Sequence, residues 1–394
     1  MPIVELHAFL VRLPLRRPVQ HASFGRESSE NIVLACRLDD GTTGYGEGVP
    51  RSYVTGETPE GALAQFAATN WAQSLAGHDP TGWPDVISLC DRIAPRVEHD
   101  DPRGIGANSL RAAVELSILD AFGQRFGEPV SAITPHVAEA AMLAANHEQV
   151  RYSAAITAEG AWRERMSAIK IRLYGFTHCK VKVGIPAADD AARLRRIRRI
   201  VGPAMDLRVD ANEGWPAEQA GARIRELEPV RLSCVEQPVR HAEVAALAEI
   251  RRQVSVPIML DESLAGPIDA EAAIAGGTCN LFNLRLSKCG GFLACLRLAA
   301  RAQQAGLGFQ LGCHPGESGI LSAAGRHWAA SVAGIRYLEG SYDRHLVREP
   351  LTEQDLTFGY GGLASSLLKP GWGVTMDCAA LKRVSLAAQS ICLR

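Results

Sequence analysis

Cys179-Lys180-Val181-Lys182-Val183-Gly184, Leu207-Arg208-Val209-Asp210, Ser233-Cys234-Val235-Glu236, Ile258-Met259-Leu260-Asp261 and Asn283-Leu284-Arg285-Leu286-Ser287-Lys288 are five short apolar segments, and each ends in or beside a charged residue. From Lys182 the charges follow at steps of 28, 26, 25 and 27 residues. One βα unit of a parallel barrel takes about 30 residues, a typical 250-residue barrel divided by eight. The spacing therefore predicts successive barrel strands with a charge at each C-terminal end, the face on which such barrels carry out chemistry. The order is two lysines, three carboxylates, one lysine. Three carboxylates drawn to one point repel one another unless a cation sits between them. Hard oxygen ligands in that number, kept partly open for a substrate, suit Mg²⁺, with Mn²⁺ as an alternative. A lysine on each side of such a centre makes an acid–base pair.

The pattern extends outward on both sides. Arg151–Ile156 reads as the first barrel strand, Gly308–Cys313 as the seventh and Ile335–Glu339 as the eighth, with Ala-, Leu-, Arg- and Glu-rich helices between them, such as Pro186–Ile200. Before the barrel, Val4–Leu13, Asn31–Leu38 and Thr43–Gly48 read as three strands of an antiparallel meander. Residues from about 57 to 126 read as helices, one starting at Thr58-Pro59-Glu60 and another running Asn108–Phe122 with Gly123 just beyond it. The expected architecture is an α/β barrel of modified (β/α)₇β type over residues 127–370. An α+β capping domain over 1–126 precedes it, and a tail over 371–394 returns to the cap. Gly44-Tyr45-Gly46 and Gly359-Tyr360-Gly361-Gly362 lack the strand-to-helix context of a phosphate loop and read as turns.

The bulk numbers exclude several classes. The 394 residues suffice for a barrel and a smaller domain. With 42 basic against 43 acidic residues the net charge is −1, which favours neither nucleic acid nor an anionic membrane. The basic run Arg193–Arg199 has helical spacing and reads as the wet face of a barrel helix. No stretch approaches the roughly 18 consecutive apolar residues of a membrane span, and Met1–His7 lacks the features of a signal peptide. The ten cysteines show no CxxC pairing; Cys179, Cys234, Cys279 and Cys289 lie in or beside apolar strands and read as reduced core residues of a cytoplasmic protein.

Taken together, Lys180-Val181-Lys182, Asp210-Ala211-Asn212-Glu213-Gly214-Trp215, Val235-Glu236-Gln237-Pro238, Leu260-Asp261-Glu262-Ser263, and Asn283 with Lys288-Cys289-Gly290-Gly291 resemble the enolase superfamily and, within it, the muconate-lactonizing-enzyme subgroup. The resemblance covers nearly the whole chain. It implies that Asp210, Glu236 and Asp261 bind Mg²⁺, that Lys182 and Lys288 are general base and acid on opposite faces of a small carboxylate substrate, and that Lys180 neutralises the substrate carboxylate. A lysine at 288 points away from the mandelate-racemase pattern, which places an Asp there and a His on the seventh strand. The shared chemistry is removal of a proton from the carbon beside a carboxylate. A divalent ion stabilises the negative charge that results. A lysine acts as a base only when neutral, and a neighbouring positive charge favours that form.

Two lysines on opposite faces fit racemisation or epimerisation of an amino-acid derivative or dipeptide. The same pair also fits a cycloisomerase or a dehydratase such as o-succinylbenzoate synthase. From another class, imine formation by either lysine in a metal-free barrel, or a barrel kept only for binding, uses the same scaffold. Asn212 and Glu262 are expected to orient a carboxylate or a lysine. Glu317, just past the seventh strand, is expected to face the substrate, and His314 in the same loop is a candidate contact. Arg285 departs from the Asn-x-Lys-x-x-Lys pattern of many relatives; it stays protonated and suits pairing with a carboxylate. Two cap loops, His21–Arg26 and Pro50–Gly56, are expected to set specificity, with Arg26 and Arg51 meeting an anionic distal group and Tyr53 lining the site. The resemblance also implies a homo-oligomer.

Overall fold

A computed structural model describes residues 2–21, 24–97, 100–157, 160–185 and 188–393. The strands are β1 (Ile3–His21), β2 (Phe24–Leu38), β3 (Thr43–Gly48), β4 (Gln149–Arg151), β5 (Ala154–Ile156), β6 (His178–Lys182), β7 (Asp206–Asp210), β8 (Val235–Glu236), β9 (Ile258–Leu260), β10 (Leu281–Leu284), β11 (Gly308–Leu311), β12 (Ile335–Leu338), β13 (Leu363–Ser365) and β14 (Ser385–Cys392).

The cap is a four-stranded antiparallel sheet in the order β14-β1-β2-β3. Along β1 the side chains of Leu6, Ala8 and Leu10 bury in the main core, as the two-residue period of a strand requires. At Leu10–Val11 the pairing with β14 shifts register, and Val11, Leu13 and Leu15 bury in a second core with Ile320, Val347 and Leu381. Phe9 packs against that second core too, so from Leu6 to Leu15 the odd-numbered positions of β1 face one core and the even-numbered positions the other, on opposite faces of one strand. On β3, Gly44, Gly46 and Gly48 all face the helix Asn108–Phe126. A Cβ at these positions would lie 2.1, 2.1 and 2.0 Å from backbone atoms of Ala121, Ala113 and Ser109. The helix therefore lies flush on the strand. Gly44-Tyr45-Gly46 is thus strand rather than turn, and its glycines serve close approach.

The barrel is an eight-stranded parallel sheet running β5 to β12 in chain order, with helices between the strands, a (β/α)₇β arrangement. Ser153 N donates to Leu338 O at 2.8 Å, which brings the two end strands together. Strands β6 to β10 are buried along nearly their whole length, as in a parallel sheet covered on both faces.

Several local expectations are corrected. The cap helix runs through Gly123 to Phe126 and ends at Gly127, which has φ +70°; Gly123 lies inside the helix, and its missing side chain gives room to Gly371, whose Cα would sit 3.0 Å from a Cβ there. The predicted first barrel strand is two pieces. Gln149–Arg151 pairs with β13, and only Ala154–Ile156 joins the barrel. The tail adds an unforeseen helix, Cys378–Val384, capped by Asp377, before β14 returns to β1. In the basic run, Arg195, Arg196 and Arg199 are exposed, but Arg193 is buried against Glu164 and Asp190. That helix is described from Asp190 onward; Pro186, its expected start, lies outside the described residues, as do Ala22 and Ser23 of the first cap loop.

Candidate active site

Strand order places the charged residues. β6 to β10 are consecutive neighbours, and parallel pairing sets Lys182 beside Asp210 and Asp210 beside Glu236. Lys182, Asp210 and Glu236 are the last residues of their strands, and Asp261 follows β9 directly. Lys288 keeps the spacing but does not stand at its strand's end. The residue just past β10 is Arg285, and Lys288 lies three positions further, in the turn before the helix Phe292–Gln304. Its side chain nonetheless reaches back. Lys288 Nζ donates to Asp261 Oδ1 at 2.8 Å and to the carbonyls of Asp261 and Asn283 at 2.7 Å each. Lys182 and Lys288 therefore flank the three carboxylate strands.

The groups form one charge network. Lys182 Nζ donates to Asp210 Oδ2 at 2.6 Å and to Asn212 Oδ1. Asn212, at φ +42°, also donates from Nδ2 to Glu262 Oε1 at 3.2 Å. Lys180 Nζ sits 3.4 Å from Asp210, 3.3 Å from Glu236 and 2.7 Å from Glu339. Burial lowers the basicity of Lys180, but these carboxylates outweigh it and keep the ammonium charged. Burial raises the Asp210 carboxyl, and Lys182 and Lys180 outweigh that and hold it ionised. Around Lys288 the negative groups do not offset burial, and burial, with Arg285 beside it, pulls it down to about 8. Gln237, at φ +36°, accepts from Asp261 N at 2.9 Å and donates to Val239 O and Ser263 Oγ, which fixes the backbone that carries Asp261.

Arg285 is buried and donates to Asp261 Oδ2, the pairing expected of a permanently charged residue. Glu339 and Arg208 were not picked out from the sequence. Arg208 Nη2 donates to Glu339 Oε1 at 2.6 Å, and Glu339 in turn holds Lys180. The available signal was a carboxylate following the eighth strand, Ile335–Leu338, in the same position as Asp261 after the fifth.

Among the described residues no three His, Cys, Asp or Glu side chains already stand together as a metal cage. Cationic side chains occupy their oxygens: Lys182 and Lys180 share Oδ2 of Asp210, Lys180 also meets Oε2 of Glu236, and Arg285 and Lys288 take the two oxygens of Asp261. The donor chemistry fits a hard divalent cation. Three fully buried carboxylates project from adjacent strands, and burial together with Asp210 pushes the Glu236 carboxyl up, a strain that a cation relieves. Glu262, pushed up to about 7 by burial and Asp210, keeps Oε2 buried without a partner in the same region.

The mouth is closed by the cap and the loop after β11. His314 is buried, and burial with the positive field of Arg285, Arg51, Lys288 and Arg26 keeps its ring neutral. The His314 backbone N–H donates to Glu317 Oε1 at 2.6 Å, and burial pushes Glu317 up to about 8. Arg26 lies over the ring of Tyr53 at 5.1 Å, so the two cap loops meet. Arg51 is buried and donates to Ser29 Oγ at 2.6 Å, Pro50 O at 2.7 Å and Glu30 O at 3.1 Å; its guanidinium braces the cap itself.

This fold has counterparts. The profile of the family described as Enolase C-terminal domain-like matches residues 161–380, and the chain belongs to that family. The N-succinyl-L-Arg/Lys racemase of Bacillus cereus is 27% identical over 340 residues, 86% of this chain and 87% of the relative. The crystal structure of N-succinyl Arg/Lys racemase from that organism superposes with a TM-score of 0.86 at 24% identity, covering 99% of this chain and 100% of the other. An aromatic dipeptide epimerase of Herpetosiphon aurantiacus is 30% identical over 340 residues, 86% of this chain and 89% of the relative. A dipeptide epimerase of Enterococcus faecalis, crystallised with Mg and the dipeptide L-Leu-L-Tyr, matches with a TM-score of 0.81 at 25% identity, covering 95% and 100% of the two chains.

No helix among the described residues is long and apolar enough to cross a membrane. Cys179, Cys234, Cys279 and Cys289 are buried and free.

Proposed function

We propose that this chain is a Mg²⁺-dependent racemase or epimerase that moves the α-proton of an amino-acid derivative or dipeptide between Lys182 and Lys288. The observation that carries the reading is the flanking of three carboxylate strands by two lysine amines, one from each side. The racemase and epimerase relatives support it.

A proton beside a carboxylate is weakly acidic because the charge left behind must settle on the carboxylate oxygens. Asp210, Glu236 and Asp261 would hold Mg²⁺, or Mn²⁺ in its place, and the bound ion would supply Lewis-acid stabilisation of that charge. Lys180, kept charged by Glu236, Glu339 and Asp210, adds positive potential from the barrel interior without moving a proton. In one direction neutral Lys182 takes the α-proton and becomes an ammonium, and Lys288, as an ammonium, returns a proton to the opposite face and becomes an amine. The configuration inverts and no atom is gained or lost. In the other direction the roles exchange. Asn212 and Asp210 hold the Lys182 amine in place for this step, and the carbonyls of Asp261 and Asn283 do the same for Lys288.

The cap supplies recognition of the rest of the substrate, with Arg26 and Tyr53 at the meeting of the two loops and His314 and Glu317 facing them across the mouth. The buried free thiols fit a reducing, cytoplasmic setting, and a homo-oligomer fits the family. The experiment is proton NMR in D₂O with Mg²⁺ on pools of dipeptides, N-acylamino acids and acid sugars plus muconate. Loss of an α-proton signal that a chelator abolishes supports the reading. A new product without exchange moves it to cycloisomerisation or dehydration, and substrate trapping by borohydride moves it to imine chemistry.

A further inference from the structure

The turn that carries Lys288 is gripped from the capping domain. Asn108 opens the helix Asn108–Phe126 and is buried, and its Nδ2 donates to Lys288 O at 2.6 Å and to Ala265 O at 2.8 Å. Seven residues on, two helical turns along the same face, Glu115 Oε1 accepts from Leu293 N at 3.0 Å, at the head of the helix Phe292–Gln304. Gly290 and Gly291 lie between these two contacts, with φ +88° and +130°. A Cβ on Gly290 would come within 3.1 Å of Asn108 Oδ1, and one on Gly291 within 2.3 Å of Glu115 Oε1. The glycines of Lys288-Cys289-Gly290-Gly291 are therefore required by polar side chains of the cap that press against this backbone. Among the described residues Lys182 has no comparable hydrogen bond to the cap: Asp210 and Asn212 bind its amine and Arg193 its carbonyl, all from the barrel.

Since Lys288 stands beyond the end of β10, the strand does not fix its height; the turn does. We infer that Asn108 is a positioning residue for Lys288, with Glu115 supporting it. The cap helix sets where the Lys288 amine stands, and the barrel alone sets Lys182. This rests on the two-lysine reading above. Asn108 touches neither lysine amine, so its action runs through the Lys288 backbone.

The test uses the full chain with Mg²⁺ and the variants Asn108→Ala, Asn108→Asp and Lys288→Ala. The probes are the D and L forms of N-succinyl-arginine, with L-Leu-L-Tyr and L-Leu-D-Tyr as a second pair. Deuterium uptake at the α-carbon is followed for each stereoisomer separately, and crystal structures of the Asn108 variants are determined. Asn108→Ala is expected to slow uptake on the order of 10²-fold for the stereoisomer that Lys288→Ala silences, and to leave the other within about 2-fold, as a small misplacement of one group predicts. In its crystal structure the Lys288 amine should lose its contacts to the Asp261 and Asn283 carbonyls. Asn108→Asp keeps the size but loses the donor and should match Asn108→Ala. Equal slowing of both stereoisomers, rescue by Asn108→Asp, or a crystal structure with Lys288 unmoved overturns the inference. If Lys288→Ala itself silences neither stereoisomer, the two-lysine reading fails, while the crystal structures still decide whether Asn108 holds Lys288.

Discussion

The two walls of the site hold a lysine in opposite ways. The Lys182 side chain, on the last residue of β6, is 33% exposed and is bound by the side chains of Asp210 and Asn212. The Lys288 side chain is fully covered and is bound by two backbone carbonyls and one oxygen of Asp261, with its own carbonyl tied to the cap. Side-chain partners can rearrange when a substrate or a cation arrives, whereas backbone partners do not. The Lys182 wall is thus the adaptable one and the Lys288 wall is the fixed reference. An enzyme that works in both directions needs equal access of two amines to one carbon. Here that symmetry of function rests on an asymmetric construction.

The comparison breaks most severely when either amine is removed. Lys182→Ala and Lys288→Ala should each lower net inversion by about 10²–10⁴-fold, the usual worth of a positioned general acid or base; polarimetry of inversion rates checks this. A smaller effect is expected at Gln237. Its loss frees the Asp261 backbone on the fixed wall, and Gln237→Ala should weaken Mg²⁺ binding about 10–100-fold by titration calorimetry, as loss of support behind a metal ligand does.

The buried lysine should also set the pH dependence. Inversion in either direction needs one lysine neutral and the other protonated, so both directions share one pH profile. With Lys288 pulled down to about 8, that profile should rise in parallel for the two stereoisomers as pH increases toward about 8. Rates measured from each stereoisomer from acid to neutral and alkaline pH check this; a rate that does not rise toward about pH 8 contradicts the assignment.

The smallest expected effect concerns cap docking. Glu47, buried on β3, accepts from Asn31 at 2.6 Å and from Ser318 Oγ at 2.6 Å, and caps the barrel helix Gly319–Ser331. Glu47→Ala leaves several buried donors unpaired and should cost about 1–3 kcal/mol in denaturant unfolding. It should also leave the ratio of the two exchange rates unchanged, unlike Asn108→Ala.

Much of this was legible in the sequence for a simple reason. A parallel barrel repeats its strand–helix unit, so Lys182, Asp210, Glu236 and Asp261 fall at a regular spacing that needs no tertiary information. What was hidden depended on contacts between distant segments. Lys288 fits the spacing by number yet stands beyond its strand, because its place is set by Asn108 and Glu115. Gly123 looked like a helix stop and is a point of close approach to Gly371. Gly44 and Gly46 looked like a turn and let a helix lie on a strand. Arg193 was indistinguishable from its exposed neighbours until Glu164 was brought beside it. Glu339 gave a local signal, a charge after the eighth strand, but its importance comes from Lys180 and Arg208 converging on it. The specificity loops were recognisable as loops, while the bracing of Arg51 by Ser29 and Glu30 depends on how the cap strands pair.

The most direct measurement is α-proton exchange in D₂O for each stereoisomer of one substrate with the single-lysine variants. The account predicts mirror images. Lys182→Ala should silence exchange of one stereoisomer and spare the other, and Lys288→Ala should do the reverse. Loss of both stereoisomers in either variant, or exchange that survives in both, contradicts proton transfer between two opposed lysines.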